Sequence, residues 1–278
     1  NSVDTFERSL YNELISIKHD ESMFDTYYME RKYILESIPE NIPYIDDYCD
    51  KIGMHGKYAI FYLTAGSERE RYEFAKCLSI YEYSDDEIAK VLQKGFQDIY
   101  CYMQPFVFDM SNTKLPDADN YLRDELTAYF AQYKKQKLTN RIFNDFVAVV
   151  DNYAVERPFM KLQPRSSIVS KINKDKTGFF FFDALGVEYL AYIQNKCEKY
   201  GLVSEISIGR CELPSITSEN KEFENTCSNI KKISDLDELK HHSTTYNYTT
   251  CPYPIPLFRE LEIIDTELRR IQSQLAQG

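Results

Sequence analysis

Two short stretches of this chain hold residue types that could do chemistry. The run Gly178-Phe-Phe-Phe-Phe182 ends on Asp183, and about thirty residues later comes Leu213-Pro-Ser-Ile-Thr217-Ser218. A threonine hydroxyl is almost wholly un-ionised at neutral pH and needs help to attack phosphorus. A divalent ion held by a nearby carboxylate supplies that help, by stabilising the alkoxide and neutralising charge on the phosphoryl oxygens. The pair therefore suits part of a metal-assisted phosphoryl-transfer site, with Asp183 as a metal ligand and Thr217 as nucleophile and second metal contact. Plainer roles suit the same residues: Asp183 as the cap of a following helix, and Thr217 with Ser218, ahead of Glu219, as a helix start.

The elements around them must bring the two side chains together. Four consecutive aromatics cannot alternate between a wet and a dry face, so residues 178–182 read as a short strand buried on both faces, as parallel strands are. Asp183 then lies at the strand's carboxyl edge, where open α/β sheets gather ligand-binding loops. An amphipathic helix is expected over about 186–199, with Val187, Leu190, Ile193 and Cys197 at helical spacing, and a second strand from Leu202 to Ile208. That is the beginning of a βαβ unit, with Thr217 just past the adjacent strand in a loop braced by Pro214.

Upstream, roughly residues 3–155 read as helical. Ser67 with Glu70 and Ser84 with Glu87 form two capping boxes. Apolar faces follow at Phe74, Cys77, Leu78 and Tyr81, at Leu122, Leu126, Tyr129, Phe130 and Tyr133, and at Phe143, Phe146, Val147, Val150 and Ala154. The expected organisation is a helical domain over 1–157, a proline- and base-rich connector over 158–177, and an α/β domain over 178–278 that closes with a helix from about Leu257 to Leu275.

The 278 residues carry a formal net charge of −11, and acid exceeds base in residues 1–170 and again in 171–278. This balance argues against a general nucleic-acid clamp, which needs Lys and Arg in excess on some face. The 23 tyrosines and 17 phenylalanines mostly recur at helical spacing among acidic residues. They read as core with wet phenol edges rather than as a stacking platform for single strands. The Lys134-Lys135-Gln-Lys137 run reads as a solvated helix end. Seven cysteines without a C-x-x-C pair read as reduced thiols of a cytoplasmic protein, and there is no apolar run of the roughly 18 residues that would span a membrane.

Residues 165–218, from Arg-Ser-Ser-Ile-Val through Gly-Phe-Phe-Phe-Phe-Asp-Ala-Leu-Gly-Val-Glu-Tyr-Leu to Cys-Glu-Leu-Pro-Ser-Ile-Thr-Ser, resemble the PglZ proteins of the alkaline phosphatase superfamily. The stretch Asp-Leu-Asp-Glu-Leu-Lys-His-His at 235–242 is most similar to the PglZ of type 4 BREX bacteriophage-resistance systems. The resemblance implies a helical amino-terminal domain joined to the beginning of an alkaline-phosphatase-like α/β sheet. It implies phosphatase or phosphodiesterase activity with Zn2+ or Mn2+, and other BREX proteins as partners, with DNA reached through the full-length protein. Within it, the Asp-Ala-Leu motif would supply the first metal ligand, Asp183, and the Pro-x-x-Thr motif the nucleophile, Thr217.

The family's later ligands, an Asp-His dipeptide among them, have no counterpart in these residues. The histidines are His19, His55, His241 and His242, and the adjacent last pair diverges on either a helix or a strand. Two oxygen donors hold a divalent ion poorly. The chain is thus expected to be an amino-terminal fragment with weak metal binding and little turnover alone. A non-catalytic scaffold of a defence complex is the alternative reading.

Overall fold

Short polar side chains set where the early helices begin. In the computed structural model, which describes residues 2–37, 44–105, 113–114, 120–172, 178–223, 230–241 and 256–277, α1 (Ser2–Ser16), α2 (Phe24–Glu36) and α3 (Ile45–Gly53) precede a 3-10 stretch at Gly56–Tyr62. α4 (Glu68–Ile80) and α5 (Asp85–Gly95) follow. Each is capped by a serine hydroxyl that accepts a backbone N–H, Ser67 from Glu70 and Ser84 from Glu87. The expected box is complete only at Ser84. At Ser67 the Glu70 carboxylate instead takes the Thr64 N–H at 2.9 Å and meets Arg31 at 2.6 Å.

Next come α6 (Gln97–Met103), β1 (Thr113–Lys114), α7 (Asn120–Thr139), α8 (Asn144–Glu156), α9 (Arg165–Val169), β2 (Phe179–Phe182), α10 (Leu190–Lys199), β3 (Ile206–Ser207), β4 (Ile230–Ile233), α11 (Asp235–Lys240) and α12 (Pro256–Gln277). The described chain is mostly helical, with short parallel strands. Two compact units divide it. One comprises Asn1–Tyr100, Lys137–Arg141 and Cys251–Phe258, the other Cys101–Gln136, Ile142–Thr250 and Arg259–Gly278. The units interleave along the chain, whereas the expected boundaries at 157 and 177 follow changes in local composition.

In the first unit, buried tyrosines give their hydroxyls to backbone carbonyls: Tyr28 to Leu63 at 2.7 Å, Tyr48 to Tyr62 at 2.8 Å, and Tyr62 to Ile17 at 2.8 Å. These phenol edges are therefore not wet, because a buried hydroxyl needs a partner and the chain supplies one. The Arg31–Glu70 ion pair has both side chains fully buried. The guanidinium lies over the rings of Tyr11 and Tyr48, at 4.5 and 4.1 Å, and donates to the Tyr62 carbonyl at 3.0 Å. Rings, carboxylate and carbonyl together offset the cost of taking this charge out of water.

In the second unit β2 and β4 form a parallel ladder, with Phe179 opposite Ile230 through Phe182 opposite Ile233. β1 and β3 form another, with Thr113 opposite Ile206. Two expectations are corrected here. The strand beside β2 comes from 230–233 and not from 202–208, so β2, α10 and β3 do not close a βαβ unit. The four phenylalanines are half-buried rather than enclosed on both faces, since β4 is the one strand paired with β2 among the described residues.

Leu126, Leu162, Leu190 and Ile208 make a core in this unit, with Phe130, Phe159, Val187 and Ile206 against it. α10 meets α12 through hydroxyls, Tyr189 donating to Glu260 at 2.8 Å and Tyr192 to the Leu261 carbonyl at 3.1 Å. Lys134 is not solvated: it is buried, and its ammonium donates to the Gln104 carbonyl at 2.9 Å. On α8, Phe146 is buried while Val147 and Val150 are exposed, as is Phe143 just before the helix, so most of that expected core face lies outside the core.

Candidate functional site

Asp183 extends the β2–β4 ladder by one step, its N–H donating to the Ile233 carbonyl at 2.9 Å. Side chains alternate across a ladder, so Phe181 and Asp183 share a face. Lys232, in register with Phe181, sets its ammonium 2.7 Å from Asp183 Oδ2. Its neighbour Lys231 pairs instead with Glu267 at 3.2 Å. The Ile-Lys-Lys-Ile strand thus sends successive lysines to different acidic partners.

Thr217 Oγ1 lies 3.3 Å from Asp183 Oδ1 and 3.4 Å from Oδ2. The two residues singled out from the sequence are therefore brought within hydrogen-bonding reach across 34 positions of chain. Asp183 is 8 % exposed. It caps no helix, because the next 3-10 turn, Val187–Tyr189, begins after Gly186. Its Oδ1 accepts the Ala184 N–H at 3.1 Å. Ala184 holds φ at 62°, a left-handed conformation that costs a non-glycine residue about 1 kcal/mol. Lys240 donates to the Ala184 carbonyl at 2.9 Å and helps hold that turn. Thr217 does open a short 3-10 turn, Thr217–Glu219, as its plainer reading expected.

The loop presenting Thr217 is tied by one buried side chain. Asn220 Nδ2 donates to the carbonyls of Glu212, Pro214 and Ile216 at 3.2, 3.3 and 3.0 Å, and its Oδ1 accepts the Glu212 N–H at 2.8 Å. Arg165 reaches the Asn220 carbonyl at 3.4 Å and pairs with Glu222. Burial pushes the Glu222 carboxyl up, but the bond and charge of Arg165 outweigh it and hold the group below its ordinary range. Phe223 stacks on Phe181 at 3.7 Å with the rings 8° apart. Before the loop, a Cβ on Gly209 would come within 3.1 Å of Arg165 Cα and the Gln163 carbonyl. Only glycine lets residues 163–165 lie so close, and there Pro164 bridges to Arg210.

A family model described as "Domain of unknown function (DUF7863)" matches residues 1–81. That match spans α1 to α4 and leaves Asp183, Thr217 and Lys232 outside it. Comparison with curated proteins and with solved structures returned no match. Within the DUF7863 region the histidines pack on rings, His19 edge-on to Phe61 at 4.3 Å and His55 stacked on Tyr62 at 4.7 Å. His241 is largely exposed, 3.5 Å from Asp237, and His242 lies outside the described residues.

The donors present do not by themselves fit a divalent ion. Asp183 and Thr217 supply oxygens from two residues, where a hard cation takes about six. An ammonium already sits on the carboxylate, and among the described residues no group of three or more His, Cys, Asp or Glu could hold a metal. Asn220, Arg165 and Lys232 were not found from the sequence. For Lys232 a faint signal exists in the apolar ends of Ile230-Lys-Lys-Ile233, while Asn220 and Arg165 act through contacts that no local motif encodes.

Proposed function

We propose that this chain carries part of a phosphoryl-transfer centre of the PglZ type, acting on phosphate esters, nucleic acid among them, in bacterial defence against phage. The observation that supports it is the approach of Thr217 Oγ1 to the Asp183 carboxylate at 3.3 Å. In the step proposed, a bond forms between Thr217 Oγ1 and phosphorus as the bond to the leaving oxygen breaks. The hydroxyl proton passes to Asp183 and on to the leaving oxygen. Water then attacks the phosphothreonine, giving its proton to Asp183, and the threonine oxygen departs and takes that proton back.

An alkaline-phosphatase-like architecture belongs to the same proposal. The parallel ladder with a carboxylate at its carboxyl end supports it. Zn2+ or Mn2+ would need donors in addition to Asp183 and Thr217. The incomplete donor set among the described residues favours a second reading, a scaffold within a defence complex that keeps the shell of a hydrolase.

Hydrolysis of bis(p-nitrophenyl) phosphate, with and without Zn2+ or Mn2+, separates the two. The longest available protein should turn over, and Asp183→Ala and Thr217→Ala should each lose on the order of a hundredfold or more with unchanged circular dichroism. Equal rates in all three proteins would make these ordinary loop residues and leave the scaffold.

A further inference from the structure

We infer that Lys232 is the site's own cation, the group that binds an anionic phosphoryl oxygen beside Thr217. The inference rests on the phosphoryl-transfer reading above. A buried carboxylate next to a nucleophile repels the anionic group that the nucleophile must attack, and a positive charge has to offset it. Lys232 supplies that charge at 2.7 Å from Asp183 Oδ2, the same oxygen that lies 3.4 Å from Thr217 Oγ1.

The lysine is also built to change partners. Its side chain is 45 % exposed, while that of Asp183 is 12 % exposed. The ammonium end of a flexible four-carbon stem can therefore turn to an incoming oxygen while the carboxylate stays in place. The backbone beneath is fixed by the ladder pairing of Lys232 with Phe181. Two arginines of the adjoining segments have acidic partners of their own, Arg165 in Glu222 and Arg210 in Glu212. Lysine binds phosphate as a point charge with three donors, so it tolerates mono- and diesters alike.

Equilibrium binding of inorganic phosphate, followed by 31P NMR titration, tests this without turnover. Lys232→Gln should weaken phosphate binding by about tenfold or more, as expected for loss of a charge-assisted hydrogen bond. Lys232→Arg should restore most of it, and Thr217→Ala should leave it nearly unchanged. Phosphate binding that is absent in the parent, or equal in parent and Lys232→Gln, would reduce Lys232 to a structural partner of Asp183. Hydrolysis rates keep the two ideas apart. Loss of turnover in Thr217→Ala with unaltered phosphate binding in Lys232→Gln sinks the lysine alone. Lysine-dependent phosphate binding with undiminished turnover in Thr217→Ala sinks the nucleophile alone.

Discussion

A charged side chain inside a helical core must be matched by its surroundings or carry a lasting cost. Arg31 is matched, by Glu70 and two tyrosine rings. Lys134 is matched less well: burial lowers its ammonium to about 8, with the charge of Glu188 only partly opposing. The unfolded chain keeps the ordinary value of 10.5, so between those two values it binds more protons than the folded chain does. Stability contributed at this residue therefore rises with pH across that window, and the cost of the buried charge is fully present below about 8. Urea unfolding of the parent and of Lys134→Met, compared point by point from pH 7 to about 10.5, should show the parent gaining on the variant. A flat difference would mean that Lys134 stays hydrated in solution. The sequence could not announce this, because in a run of lysines on one helix only packing by Tyr102 and Gln104 decides which is buried. Asp183 and Thr217 were legible because each sits at a marked place, one ending an aromatic run and one following a braced loop.

Elements were legible in proportion to their length and to how locally they are specified. The Ser84–Glu87 box could be read because both partners lie within one turn, whereas Glu70 is claimed by Arg31 from another helix. β2 declared itself by four aromatics, but its partner β4 has only two apolar residues around two lysines. β1 has two residues, too few to show any period, so nothing in the sequence marked it as the strand that β3 pairs with. Residues 212–216 are held chiefly by the Asn220 side chain, which meets Glu212, Pro214 and Ile216. Asn220→Ala leaves four backbone groups without the partners given above, and should destabilise the second unit by about 1–3 kcal/mol. Limited proteolysis should speed up within residues 212–219 while far-UV circular dichroism is kept. Unchanged cleavage there would show that Arg165 and the Phe181–Phe223 stack hold the loop without it.

At the scale of the whole molecule, composition and compactness draw different boundaries. The change of character near residues 158–177 invites cutting the chain there and treating 178–278 as a domain. The second unit, however, also takes in Cys101–Gln136 and Ile142–Thr250. Leu126 and Leu162 belong to the same core as Leu190 and Ile208. Tyr102 packs on Tyr189 with ring centroids 5.8 Å apart. A fragment beginning at 178 loses those partners and the β1 strand beside β3, and leaves Leu190 and Ile208 facing water. Each large apolar side chain so exposed forfeits about 1.5–3 kcal/mol, and two or three of them are comparable to the whole stability of a small domain. Residues 178–278 alone should accordingly show no cooperative urea transition, and poorly dispersed amide NMR signals. Should the shorter piece give a sharp transition of its own, the compositional boundary would be the physical one, and α6 and α7 would be packing on a domain already complete.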